Sequence, residues 1–159
     1  MDRAIRGFDQ DAAGDWVATL ACGHRRHVRH DPPFRESAWV ASAEGRAGRL
    51  GTALACNRCD RLELPEGYAL HRATRTFDEH SVPDALLRTH TTRAGVWALI
   101  RVEQGALEYH LHAPFERMQR VTPEAPGVVP PEVEHHVACP EPVRFHVDFW
   151  SAADGRPRS

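Results

Sequence analysis

The residues of this chain best suited to chemistry lie in two short stretches. "CGHRRHVRH", residues 22–30, packs one Cys and three His into nine positions, and "CNRC", residues 56–59, is a C-x-x-C pair. Thiolate and imidazole are the ligands a structural zinc ion takes, four to a tetrahedron, in Cys₄, Cys₃His or Cys₂His₂ sets. A tight turn at C-x-x-C aims Cys56 and Cys59 the same way, and a second pair must come from elsewhere. Cys22 and His24 share parity on an extended segment, so both can face one ion. His27 is the runner-up, reached through a turn that Gly23 permits, and His30 is a further candidate. The expected set is Cys22, His24, Cys56 and Cys59 around a structural Zn²⁺. In a reducing compartment, clustered cysteines favour metal or redox chemistry over disulfides. Cys139 stands alone beside Pro140, with no base or partner Cys nearby, and reads as structural.

Short β elements must position these groups. "AIRGFDQ" and "DWVATLAC" read as a hairpin around "DAAGD". "SAEGRAGRLG" reads as a short helix with Ser42 as N-cap, weakened by Gly45 and Gly48. "CNRC" then follows as a tight turn, and residues 62–67, "LELPEG", form a linker. Beyond it the pattern is β: "GVWALIRV", a turn at "EQGA" with Gly105, the alternating "LEYHLH", "GVVPPEVEHHVA" bent by Pro130 and Pro131, and "VRFHVDFW". Many short strands with Gly/Pro turns and little helix predict a mainly β protein, a small antiparallel sandwich or barrel. The expected organisation is a zinc-binding domain over 1–61, the linker 62–67, a β-barrel domain over 68–150 and a disordered tail over 151–159. A first domain of about 60 residues is of the size at which metals compensate for a small core.

Residues 1–61 resemble a small uncharacterised bacterial domain family. The resemblance rests on "GDWV", on the C-G-H-x-x-H-x-R-H-x-P-P motif, and on the closing C-x-x-C in "LGTALACNRC". It implies no activity.

"RTHTTRAGVWALIRVEQGALEY" followed by "GVVPPEVEHHVACPEPVRFHVDFW" resembles the tellurite-resistance-related cupins of the TehB/YeaR type, over about residues 64–150. The resemblance implies a double-stranded β-helix, a jelly roll whose lumen holds a metal or small ligand. It places the leading metal-ligand His of the first cupin motif at His90 and the His of the second at His135, with Asp148 as a third ligand. A second divalent ion, Zn, Fe or Ni, would sit there. The chain departs from the motif at Thr92, where a second His is usual, and at Trp97, near the usual Glu. The alternation agrees about His135, which shares a face with Val133 and Val137. On the last strand, however, Asp148 shares its face with Arg144 and His146, opposite Phe145, Val147 and Phe149. Arg101 and Glu103 are candidate polar groups of the lumen. His110 and His112 alternate away from Leu107, Tyr109 and Leu111, and read as a solvated face.

Composition narrows the function classes. Apolar residues make up 42% and charged ones 26%, ordinary for a folded domain, and all twenty basic residues are Arg. No apolar run approaches a membrane span, and the N-terminus does not read as a signal peptide, so the cytoplasm is the expected location. Residues 1–61 carry ten Arg against eight acidic residues, too small an excess to argue for nucleic acid. Methyl transfer, the TehB chemistry, belongs to a separate domain, and no Gly-rich strand–turn–helix for a methyl donor is present here. The expected function is a stress-related metal-binding cupin that takes a small anion or metabolite in its lumen. A metal-dependent oxygenase or isomerase is the alternative; it needs His90, His135 and Asp148 to converge. A weaker alternative is a zinc-module adaptor for protein or nucleic acid using Arg25, Arg26 and Arg29. A homodimer through β-strand pairing is compatible with a small barrel.

Overall fold

The first lobe grows from a hairpin. β1 (Asp2–Gln10) buries Arg3, Ile5 and Gly7 on one face and pairs antiparallel with β2 (Trp16–Leu20). Asp11 fixes the turn between them, its Oδ1 accepting from the backbone N–H of Ala13 and Asp15 at 2.9 Å. β3 (Arg25–His27) returns beside β2, and a 3₁₀ turn at Ala38–Ala41 leads into α1 (Ala43–Ala47). Ser42 caps α1 by accepting from Gly45 N–H at 3.0 Å. β4 (Ala53–Ala55) joins the far edge of β1, giving the order β3-β2-β1-β4. The "CNRC" stretch is a helical turn, α2 (Asn57–Asp60), with Cys56 at its N-cap position. The structure, a computed structural model, describes residues 1–153.

The second lobe is two antiparallel sheets around one core. In chain order it contains β5 (Tyr68–Ala73), β6 (Phe77–Asp78), α3 (Asp84–Leu87), β7 (Trp97–Gly105), β8 (Leu107–Leu111), β9 (Arg117–Val121), β10 (Gly127–Val129), β11 (His135–Ala138) and β12 (Val143–Ala152). The larger sheet runs β10-β7-β12-β5, with β6 also on β12; the smaller runs β11-β8-β9. Ile100, Val102, Leu107, Tyr109, Leu111, Val121, Val129, Val137, Phe145 and Val147 are buried in one cluster drawn from both sheets. Among the described residues no helix is long and apolar enough to cross a membrane.

Three sequence expectations are sharpened or corrected here. "EQGA", expected as a turn, is the bend at which the chain leaves β7 in one sheet and enters β8 in the other. Gly105 allows the bend: its φ is +77°, and a Cβ would stand 2.2 Å from Pro142 O. "GVVPPEVEHHVA" is two strands, not one bent strand; buried Pro130 and Pro131 end β10 before β11 starts in the other sheet. The segment read as tail begins too early, since β12 continues through Ala152 with Ser151 and Ala152 paired to Ala69 and Tyr68. The remainder of that expected tail, 154–159, lies outside the described residues. Within the expected linker, Leu62 is buried in the core of the second lobe.

The two lobes share a buried seam. Trp97, at the start of β7, is 0% exposed and packs with Ile5, Leu20, Cys22, Cys56 and Cys59 of the first lobe. Its indole N–H donates to Cys22 O at 2.8 Å. Gly23, at φ +89°, lies so close to Tyr68 that a Cβ would stand 2.0 Å from the phenol oxygen.

Candidate metal centre and binding lumen

Two local structures build the first site. The turn after β2 is closed by Leu20 N–H to His24 O at 2.9 Å and Gly23 N–H to Leu20 O at 2.8 Å. It projects Cys22 and His24 together. α2 supplies the other pair, since residues three apart share a helix face. Cys22, His24, Cys56 and Cys59 are all buried, and their ligand atoms lie within 4.8 Å of one another. His24 Nδ1 is 3.5 Å from Cys22 Sγ, 3.4 Å from Cys56 Sγ and 3.6 Å from Cys59 Sγ. Cys22 and Cys56 Sγ are 3.9 Å apart.

These distances can be set against a tetrahedron. With Zn–S about 2.3 Å and Zn–N about 2.05 Å, its edges are about 3.8 Å for S···S and about 3.6 Å for S···N. The cluster has the edges of a Cys₃His site, and it could hold a metal ion. Burial of three thiols without a metal would leave them sharing protons. The hydrogen bonds with Cys56 and Cys59, followed by burial, push the Cys22 thiol up; the bond from Cys22 pulls Cys56 down. A divalent ion replaces that contest with one charge bound to all three sulfurs.

Arg3 adds a second observation. It is 5% exposed, its charge acts on Cys59, and its Nε and Nη2 are buried without a hydrogen-bond partner. Among the described residues, Nη1 alone approaches an acid, Glu132 Oε2 at 3.5 Å. Three thiolates, a neutral imidazole and a divalent ion carry one net negative charge, which a buried guanidinium balances.

The other members of the His-rich stretch lie outside this cluster. His27, the runner-up ligand, is exposed and meets Asp11 Oδ2 at 2.7 Å through Nε2. His30 is exposed and accepts from Ser37 N–H through Nδ1 at 3.1 Å. Arg25 pairs with Asp9 at 2.6 Å, Arg29 with Asp15, and Arg26 donates to Ala55 O. Arg25, His27 and Arg29 thus form a ladder of contacts with acids of the first hairpin and its turn.

The second site is a cavity of about 450 Å³ inside the second lobe. Apolar residues on the inward faces of β7, β10, β11 and β12 make its walls, among them Ala98, Ile100, Val129, Val137, Phe145 and Val147. His90 and His135 lie together in it, bridged backbone to backbone at 3.0 and 2.9 Å, with ring centroids 4.2 Å apart. Each Nδ1 is 2.8 Å from a carbonyl, Arg88 O for His90 and Val133 O for His135. A carbonyl only accepts, so each Nδ1 carries a proton, which leaves Nε2 as the nitrogen free to meet a ligand. Thr92 also lines the cavity; exposed His71, Arg72 and Arg93 stand at its opening.

Asp148, Arg101 and Glu103, expected in the lumen, are on the other side of the larger sheet. Inward alternation takes Phe145, Val147 and Phe149 on β12 and Ala98 and Ile100 on β7, which turns these three outward. There Asp148 meets Arg101 Nε and His146 Nε2, each at 3.5 Å, and Glu103 accepts from Thr76 Oγ1 at 3.0 Å and meets His146 Nδ1 at 2.9 Å. Among the described residues no carboxylate lines the cavity. The two-His, one-carboxylate constellation required for an oxygenase is therefore not assembled. Arg72, Arg93 and His71 were missed from sequence because an exposed side chain at a cavity mouth has no spacing signal. Cys139 packs against the core, and burial pushes its thiol up.

Burial, opposed by the hydrogen bond to Val133 and reinforced by His90, lowers the pKa of His135 to about 4. An unfolded His titrates near 6.5. Between those values the unfolded chain binds more protons than the folded one, so stability falls as pH drops from about 6.5 towards 4. The full effect is about 3 kcal/mol. His135→Gln should flatten this part of the pH–stability curve relative to the wild type in urea titrations from pH 7 to 4. Parallel curves would show that His135 titrates alike in the folded and unfolded chains.

Comparison with known proteins divides the chain as the lobes do. No curated protein matches it. Among solved structures, a protein of E. coli (strain K12) aligns with a TM-score of 0.52 at 24% identity, over 57% of this chain and 96% of that one. TehB from Haemophilus influenzae aligns with a TM-score of 0.51 at 17% identity, over 55% of this chain and 32% of its own, so this chain spans about a third of TehB. At these identities the likeness is one of fold. Residues 6–63, a stretch with all four Cys and His of the metal cluster, match the family described as "Protein of unknown function (DUF3565)", and residues 72–147 match the family described as "TehB-like domain".

Proposed function

We propose that the protein is a non-methylating, tellurite-resistance-related binding protein. A structural zinc module holds the first lobe, and the second lobe is a small cupin that takes a small organic anion or oxyanion in its lumen. The observation that carries the reading is the chemistry of the cavity lining: apolar walls, two buried or half-buried His, two Arg at the opening and no carboxylate. Such a site favours a ligand with an apolar body and a negative end. The alternation of β7, β8–β9, β10, β11 and β12 between two sheets supports the jelly roll. The tetrahedral edges of the Cys₃His cluster and the buried charge of Arg3 support zinc. The ion-pair ladder counts against a nucleic-acid adaptor, since Arg25 and Arg29 already meet acids and release no counterions from a phosphate backbone.

Isothermal titration of the zinc-loaded chain with a panel of tellurite, selenite and short-chain carboxylates tests the lumen. At least one should bind, and Arg72→Ala with Arg93→Ala should weaken it by about tenfold or more, the loss of ordinary charge-assisted hydrogen bonds. Equal binding by the double variant, or none by the wild type, overturns the anion reading.

A further inference from the structure

The outer face of the smaller sheet carries a group of side chains that neither the metal cluster nor the lumen uses. His110 is on β8 and His112 follows directly after its end, two residues on, and His136 of β11 is the direct cross-strand partner of His110. The sequence reads the first two as solvated; the register brings the third onto them. His110 and His136 stack with planes 4° apart and centroids at 4.5 Å, and His112 lies 5.1 Å from His136 by centroid. His112 Nε2 is 3.0 Å from His136 Nδ1, and all three residues are half-buried.

Two nitrogens bound cis on one ion at about 2.1 Å stand about 3.0 Å apart, the separation of this pair. His110 lies beside them, stacked on His136, with its Nε2 3.2 Å from Glu108 Oε2. From this geometry we propose that His112 and His136, completed by His110, form a second metal site for a late-transition divalent ion of the nickel, copper or zinc class. Imidazole suits these ions, and a half-exposed site leaves water to fill the remaining positions. Burial, then the neighbouring His110 and His112, holds the pKa of His136 below the ordinary imidazole value. The site is distinct from the lumen: alternation on β11 sends His135 inward and His136 outward.

The test is nickel titration of the full chain already loaded with zinc, followed by calorimetry and absorption. The wild type should take up one further equivalent of Ni²⁺ without the thiolate-to-nickel absorption that displacement at the cysteines would give. His112→Asn with His136→Asn should abolish it, His110→Asn should weaken it by about tenfold or more, and His90→Asn with His135→Asn should leave it intact. Matching circular dichroism establishes that each variant is folded. Absence of nickel binding, binding that is lost with the lumen pair, or binding at the thiolates overturns the proposal.

Discussion

Replacing Cys59 by Ser is expected to remove the bound metal and unfold the first lobe. Cys59 is 0% exposed, sits inside the short α2, and shares its cluster with Cys22, His24 and Cys56. The lobe around it has few other large buried apolar groups; Ile5, Leu20, Val28 and Val40 are the main ones. Metal binding in small zinc domains contributes about 10–16 kcal/mol, comparable to or larger than the whole stability of most domains. Ser is a poor ligand for zinc and leaves two thiols and an imidazole buried without their ion. Elemental analysis should fall from about one zinc per chain to near zero. Near-ultraviolet circular dichroism should lose the signal of Trp16 and Trp39, which pack on this lobe's core. Treating the wild type with a strong chelator should reproduce both changes, and Cys139→Ser, outside the cluster, should show neither. A Cys59→Ser protein that keeps its metal and melts within a few degrees of the wild type would remove the metal from its structural role.

Much of this centre was legible because ligand spacing is a local property. The turn that carries Cys22 and His24 and the i,i+3 pair in α2 are both short-range, so types and spacing are enough to nominate them. His135 was legible for a related reason: alternation on a strand with Val133 and Val137 settles its direction. Asp148, Arg101 and Glu103 show where that reasoning stops. Period-two alternation says which residues share a face, but not which face is inside until the facing sheet is known. The apolar set on β12 is the lumen wall, so the acids and Arg101 turn out. Cross-sheet topology was lost for the same cause. Gly105 reads as a turn glycine in sequence, which says nothing of pairing, and the partners of β7 are the distant β10 and β12. The His110–His136 contact likewise depends on the register of β8 with β11.

A seam between lobes leaves a fainter trace, and Trp97 is its clearest case. On the outward face of β7, Trp97 and Leu99 are buried, while Arg101 and Glu103 further along are exposed. An apolar start and a charged end on one strand face mark a surface half covered by something else. The covering element is the metal turn: the Trp97 indole donates to Cys22 O at 2.8 Å, and its ring meets the edge of His24 at 5.5 Å. The next residue, Ala98, lines the lumen, so one strand touches both sites. Trp97→Ala is expected to cost about 3–5 kcal/mol through the cavity it leaves. It also strands the Cys22 carbonyl, a further cost of about 1–3 kcal/mol for a buried unpaired acceptor. Trp97→Phe keeps most of the apolar volume and loses only the N–H, so it should fall between wild type and Trp97→Ala. The readout that separates a seam from mere proximity is zinc release to a chromophoric chelator at neutral pH. Loss of the indole bond loosens the turn that holds Cys22 and His24, so release should quicken from wild type to Phe to Ala. Calorimetry should show one transition in the wild type resolving into two in Trp97→Ala, with the metal lobe melting first. Equal release rates in all three proteins would mean that the lobes touch at Trp97 without supporting each other.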